Sequence, residues 1–170
     1  MNRRQVLLAS VITVMVGFEV HAISAEERND PALIKSMGSA KVTLQQGLTA
    51  AAQQGQPISA KFEVEDGKLQ LSVYTAKNGK FSEVIVDYVS GTVAKTEAIM
   101  EGEDLAAAKS QNAAMGKAKE GLKTAADRAA AQTAGSRAIS VTPGLKDGRA
   151  VATVTLLSGE QLKTVEQSLE

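Results

Sequence analysis

A unit that occurs twice constrains this chain more than any other feature. An alanine-rich helical stretch is followed by short strands joined at glycine turns. In the first occurrence the helix carries Gly47-Leu48-Thr49-Ala50-Ala51-Ala52, and the turns are Asp66-Gly67, Asn78-Gly79 and Ser90-Gly91. In the second the helix carries Gly121-Leu122-Lys123-Thr124-Ala125-Ala126, and the turns are Asp147-Gly148 and Ser158-Gly159. A helix laid on a short antiparallel meander buries one face of the sheet and leaves the other open. The expected fold is therefore α+β, tandem helix-on-antiparallel-sheet units over residues 31–99 and 103–170, divided at Met100-Glu101-Gly102-Glu103.

The pattern within each unit is periodic. Pro31 suits a first helical position, and Gly38-Ser39 interrupts the apolar stripe before a main helix at about 39–54, stopped by Gly55 and Pro57. Ile58, Ala60, Phe62 and Val64 alternate with Ser59, Lys61, Glu63 and Glu65, the period of a half-buried strand. Asp66-Gly67 and Asn78-Gly79 are two-residue hairpin signals, since both central residues of such a turn need positive φ. Leu69, Leu71 and Val73 continue the buried face, with Ser72 and Tyr74 on the open one. Strands follow at about 81–88 and 92–98. Residues 104–132 then read as one alanine-rich helix, weakened by Gly116 and Gly121. The second meander is expected at about 137–141, 149–157 and 161–168, with a Pro143-Gly144 loop longer than its counterpart.

The N-terminus reads as an address rather than structure. Arg3 and Arg4 precede a 13-residue apolar run, Val6 to Phe18, and small residues at Val20-His21-Ala22 and Ile23-Ser24-Ala25 suit signal-peptide cleavage after 22 or 25. The run is shorter than the roughly 20 residues needed to span a bilayer, so no stable membrane insertion is expected after cleavage. Arg3-Arg4 also fits a twin-arginine signal, although Glu19 stands where a basic residue would be expected. With no cysteine in the chain, neither lipidation nor disulfides are expected, and the location is periplasmic or secreted.

Cleavage after residue 22 of 170 leaves 148, and 19 basic and 19 acidic residues lose Arg3, Arg4 and Glu19 to become 17 and 18. That balance argues against nucleic acid and against capture by an anionic membrane. The one histidine, His21, leaves with the signal, so histidine- and cysteine-based catalysis and the usual zinc and copper ligand sets are unavailable. No cofactor or metal is expected, and the chain reads as no enzyme.

Two segments carry a family resemblance. The helix Val42-Thr43-Leu44-Gln45-Gln46-Gly47-Leu48-Thr49-Ala50-Ala51 and the strand ending Val84-Ile85-Val86-Asp87-Tyr88-Val89-Ser90-Gly91 resemble the PepSY domain family, found in propeptides of bacterial metallopeptidases and in many exported bacterial proteins. The likeness covers about 39–97. A second, degenerate copy at about 117–169 lacks the Val-Asp-x-x-x-Gly ending, having Val165-Glu166-Gln167-Ser168 instead. The resemblance implies a helix packed across an antiparallel sheet, and a role as inhibitor or modulator of a peptidase or another envelope protein.

Candidate chemistry is sparse. Glu63, Glu65, Asp66 and Asp87 lie near one another if the first and third strands are neighbours or next-but-one; solvated charges and turn-making account for them more simply than acid–base or calcium chemistry. Asp87, just before Ser90-Gly91, is expected to accept backbone N–H bonds and fix that turn. Tyr74 and Ile85 are the large groups expected on the open face, and an aromatic among polar residues can anchor a partner. A protein partner docking there would touch Lys61, Glu63, Ser72, Tyr74, Ile85 and Asp87. The edge strand at 92–98 offers a second route, strand addition, while Lys95 and Glu97 suit an edge protected from aggregation. A small-molecule or cation-binding role is the alternative.

Overall fold

Among the described residues, seven strands form a single antiparallel sheet, and four α-helices flank it. The computed structural model describes residues 30–170; the expected signal peptide lies outside the described residues. In chain order the elements are α1 (Pro31–Ser36), a 3-10 turn (Met37–Ser39), α2 (Leu44–Ala51), β1 (Gln56–Glu65), β2 (Lys68–Lys77), β3 (Lys80–Val86), β4 (Val93–Ile99), α3 (Gly102–Met115), α4 (Leu122–Ala131), β5 (Arg137–Lys146), β6 (Arg149–Ser158) and β7 (Gln161–Ser168). Across the sheet the order is β4-β3-β2-β1-β5-β6-β7. None of these helices is long and apolar enough to cross a membrane.

Local chemistry accounts for most boundaries. The Asp30 carboxylate accepts from the amides of Ala32 and Leu33, and Pro31 opens α1. Thr43 and Gln46 form a reciprocal capping box at the start of α2. The β1–β2, β2–β3 and β5–β6 hairpins turn on Asp66-Gly67, Asn78-Gly79 and Asp147-Gly148, all six residues at positive φ.

Residues directly opposite in an antiparallel ladder share a face. Ala60 and Phe62 of β1 oppose Val73 and Leu71 of β2, which oppose Val84 and Val86 of β3. Ala60 also opposes Val141 of β5, and Val141 opposes Val154 of β6. All are buried, and they floor one core running under both halves. Helices α2 and α4 cover this face. Gly47 of α2 lies so close that a Cβ there would stand 2.6 Å from Cδ2 of Leu71. Arg128 of α4 donates from Nε to Gln167 Oε1 at 2.7 Å, and Gln167 opposes Ala152 on the core face.

The two halves share particulars. Each first strand has a register irregularity in its opening residues, between Pro57 and Ser59 in β1 and between Ala138 and Ser140 in β5. The segment before each covering helix is tied to the end of a third strand. Lys41 and Val42 donate to the carbonyl of Tyr88 at 2.8 and 3.2 Å, and Lys119 and Glu120 donate to that of Leu169 at 2.6 and 3.0 Å. The spans 31–99 and 103–170 are joined through a short seam, Ala60↔Val141 and Lys61↔Ser140.

Three sequence expectations change here. The single helix expected at 104–132 is two. Gly116 ends α3 and Gly121 caps α4, because the two helices lie on opposite faces and the chain must pass round the sheet between them. Helix α3 crosses the face expected to be open: the Ser59 hydroxyl donates to Gln111 Oε1 at 2.8 Å. Pro143-Gly144 is not a loop but lies within β5, opposite Ala152 and Val151. Proline is tolerated there because the β1 side of β5 carries no ladder partner beyond Val141.

Candidate partner-binding face

On the sheet face away from α2 and α4, cross-strand register lines up two rows. Lys61, Ser72, Ile85 and Lys95 run side by side across β1 to β4, and Ser59, Tyr74, Glu83 and Glu97 form the row beside them. Glu63 and Gln70 oppose one another in the next row. Five of the six residues expected to form a partner footprint, Lys61, Glu63, Ser72, Tyr74 and Ile85, therefore share this face. Lys61, Glu63, Tyr74 and Ile85 are half-buried.

Ser72 is corrected from a surface contact to a buried organiser: it is 0% exposed. Its hydroxyl donates to Glu63 Oε1 at 2.7 Å and accepts from Gln70 Nε2 at 2.9 Å. Long neighbours cover the small serine, so its hydroxyl is satisfied within the protein. Glu63 Oε2 in turn holds the Lys61 ammonium at 2.6 Å, and that ammonium stands 5.9 Å from the centre of the Tyr74 ring. The face is a wired network rather than a set of free side chains.

Asp87 stands apart. It lies beyond the end of β3, and one carboxylate oxygen accepts the amides of Val89 and Ser90 at 3.0 and 2.6 Å. Those bonds, chiefly the one from Ser90, hold its carboxyl below the usual range. Its role is the turn that the sequence suggests.

Electrostatics mark Tyr74 further. Burial first, then the charges of Glu83, Glu63, Asp104 and Glu65, push its phenol well above the ordinary tyrosine range. The phenol therefore stays a neutral hydrogen-bond donor near neutral pH. Burial likewise raises the carboxyl of Glu83. Tyr74 and Glu83 sit opposite one another, and the N-terminal turn of α3, bearing Asp104, overlooks them. Sequence reading missed Glu83 and the placement of α3; the alternation of β3 puts Glu83 beside Ile85, but nothing local says that a helix returns across this face.

A second concavity lies on the helical side, a cleft of about 720 Å³ lined by Gln45, Gln46, Thr49, Gln53, Lys123 and Asp127 among others. Lys123 and Asp127, one turn apart on α4, pair along one wall of it at 2.7 Å. The spacing of Gln45, Thr49 and Gln53 at successive turns is the signal that could have found it. Among the described residues, no group of three His, Cys, Asp or Glu side chains is placed to hold a metal ion.

No family model matches the chain, and no curated protein matches it. Among solved structures it is similar to the crystal structure of a "putative lipoprotein" from Clostridium difficile 630, at 10% identity and a TM-score of 0.44, over 78% of this chain and 89% of that one.

Proposed function

We propose that this chain is an exported, non-enzymatic binding module made of two PepSY-like units, the second without a fourth strand, and that it modulates a peptidase or another envelope protein. The tandem reading is supported by the matched strand irregularities near Ile58 and Ile139, and by the matched ties to Tyr88 and Leu169. Such details are hard to repeat by coincidence, because a bulge re-aims every residue after it.

The observation that carries the binding role is the fixed network around Tyr74. Ser72, Glu63 and Lys61 are already held in place, so a partner orders few side chains on docking, which removes a main cost of association. Tyr74 and Ile85 supply half-buried apolar surface, the Tyr74 hydroxyl a donor, and Glu83 an acceptor.

A photo-crosslinking side chain at Ile85, in the cells that express the protein, should give discrete adducts. The same side chain at Lys163 on β7 should give none, and Tyr74→Ala should remove the Ile85 adducts. If the adducted protein is a peptidase, its activity should change when the chain is added. Equal adducts from both positions, or adducts that survive Tyr74→Ala, would overturn the reading. A small-ligand role is favoured by one observation, the glutamine- and threonine-lined cleft between α2 and α4. A melting temperature that rises with an added small molecule and is insensitive to Tyr74→Ala would favour that role instead.

A further inference from the structure

We infer that β4 is a self-pairing edge: two copies of this chain join β4 to β4 in antiparallel fashion about Thr96. The strand lies at the end of the sheet order, and its five central residues, Ala94 to Ala98, are exposed. Its outer N–H and C=O groups have no ladder partner among the described residues, which is the arrangement that recruits another strand.

The sequence of β4 is a charge palindrome. Val93-Ala94-Lys95-Thr96-Glu97-Ala98-Ile99 reads apolar, alanine, cation, threonine, anion, alanine, apolar. A two-fold axis normal to the sheet at Thr96 sets Lys95 opposite Glu97 of the second copy, and Glu97 opposite its Lys95. Beyond Lys95, Thr96 and Glu97 the strand is irregular, since Lys95 opposes Ile85 but Val93 opposes Val86, leaving Ala94 an extra residue; the complementary register is therefore set by residues 95 to 97. Opposite charges facing one another across strands favour pairing, and like charges oppose it.

Parity separates this edge from the other. Directly opposite residues share a sheet face, so such an axis must pass through a residue and not between two. β4 meets the condition at its central residue. On β7 the complementary charges, Lys163 and Glu166, are symmetric about a point between Thr164 and Val165, so they cannot face their mates; Glu166 is also bound to Lys146. The charges of β4 alone therefore define a closed dimer. Lys95 and Glu97 already touch within one strand at 2.8 Å, and in the dimer the two pairs merge into one four-charge cluster.

The consequence is bivalency. An axis normal to the sheet leaves the Tyr74–Ile85 faces of both copies on the same side, so a dimer presents two such faces together. The self-pairing itself does not depend on whether that face binds a partner. A contact of one strand is small, so the dimer should be weak and concentration-dependent.

The test uses the chain purified as the expressing cell delivers it. It contains no native cysteine. Thr96→Cys places two thiols at directly opposite positions, with Cα atoms about 4.5–5.5 Å apart, within disulfide reach. Ala94→Cys and Ala98→Cys each leave identical thiols roughly 14 Å apart, out of reach. Mild oxidation should crosslink only the first, in proportion to the dimer seen by sedimentation.

Lys95→Glu and Glu97→Lys should each be monomeric alone. Mixed one to one they should form a heterodimer, because every 95–97 pair across the axis is then complementary. Both variants lose the bridge within the strand, so recovery in the mixture reports pairing between copies. A chain that is monomeric at all concentrations, crosslinking equal at 94, 96 and 98, open polymers, or charge variants that behave like the wild type would each overturn the inference.

Discussion

Gly47→Ala tests how closely α2 presses on the sheet. In an exposed helix the substitution should stabilise by about 1 kcal/mol, because alanine loses less backbone entropy than glycine. At this position the new Cβ would meet Cδ2 of Leu71 at 2.6 Å and Cγ at 3.1 Å. Leu71 is 0% exposed and sits between the buried Phe62 and Val86 on neighbouring strands, so moving it aside must disturb buried neighbours. Overpacking of this kind costs about 1–3 kcal/mol. The net expectation is a loss of about 1 kcal/mol, with a melting temperature lower by roughly 2–4 °C for a domain of this size.

The sign should reverse once the obstacle is removed. Leu71→Ala alone should cost about 2–5 kcal/mol through lost burial and the cavity left behind. In that background Gly47→Ala should become stabilising, by about 1 kcal/mol, because the methyl enters the vacated space. Urea unfolding followed by circular dichroism, on all four members of the cycle, measures the coupling. Equal stabilisation by Gly47→Ala in both backgrounds would refute the close approach of α2 to β2.

Three further outcomes follow from the electrostatics. Tyr74 holds its proton more tightly folded than unfolded, so stability should be constant below the ordinary tyrosine range and should fall as pH rises above about 10; Tyr74→Phe should remove most of that fall. Burial, helped by the charge of Glu63, raises the carboxyl of Glu83, so ionised Glu83 opposes folding. Glu83→Gln should gain a few tenths to about 1 kcal/mol at neutral pH, a gain that fades in acid as the native carboxyl protonates. The Arg137 guanidinium donates to the carbonyls of Met37 and Val42, each at 3.3 Å, and stacks 5.8 Å from the Phe62 ring centre; Arg137→Lys should lose about 1–3 kcal/mol in chemical denaturation, since an ammonium cannot replace the fork.

The candidate face was legible in part. Alternation in β1, β2 and β3 put Lys61, Glu63, Ser72, Tyr74 and Ile85 on one side, because side-chain direction in a strand has a period of two. The burial of Ser72 was not legible, since it depends on Glu63 and Gln70 folding over it. The covering of that face by α3 was not legible either. Its alanines suit either face of the sheet, so nothing in its own residues chooses between them. The matched Gly-Leu pairs misled as well: Gly47-Leu48 lies inside α2, whereas Gly121 caps α4, a difference of about one helical turn. Small residues are tolerated wherever helix and sheet come close, so their recurrence did not fix their alignment.

By itself the sequence determined the hairpins, the caps and the α+β character of this protein. Asp66-Gly67, Asn78-Gly79, Asp147-Gly148, the Thr43–Gln46 box and the Asp87 turn act within a few residues, where φ preferences and nearby hydrogen bonds decide the outcome. Only the tertiary structure decided that β1 and β5 join the two halves into one sheet, and that α3 and α4 take opposite faces of it. Those choices pair segments far apart in the chain. They are settled by which surfaces bury most completely together, a quantity that no short stretch of residues contains.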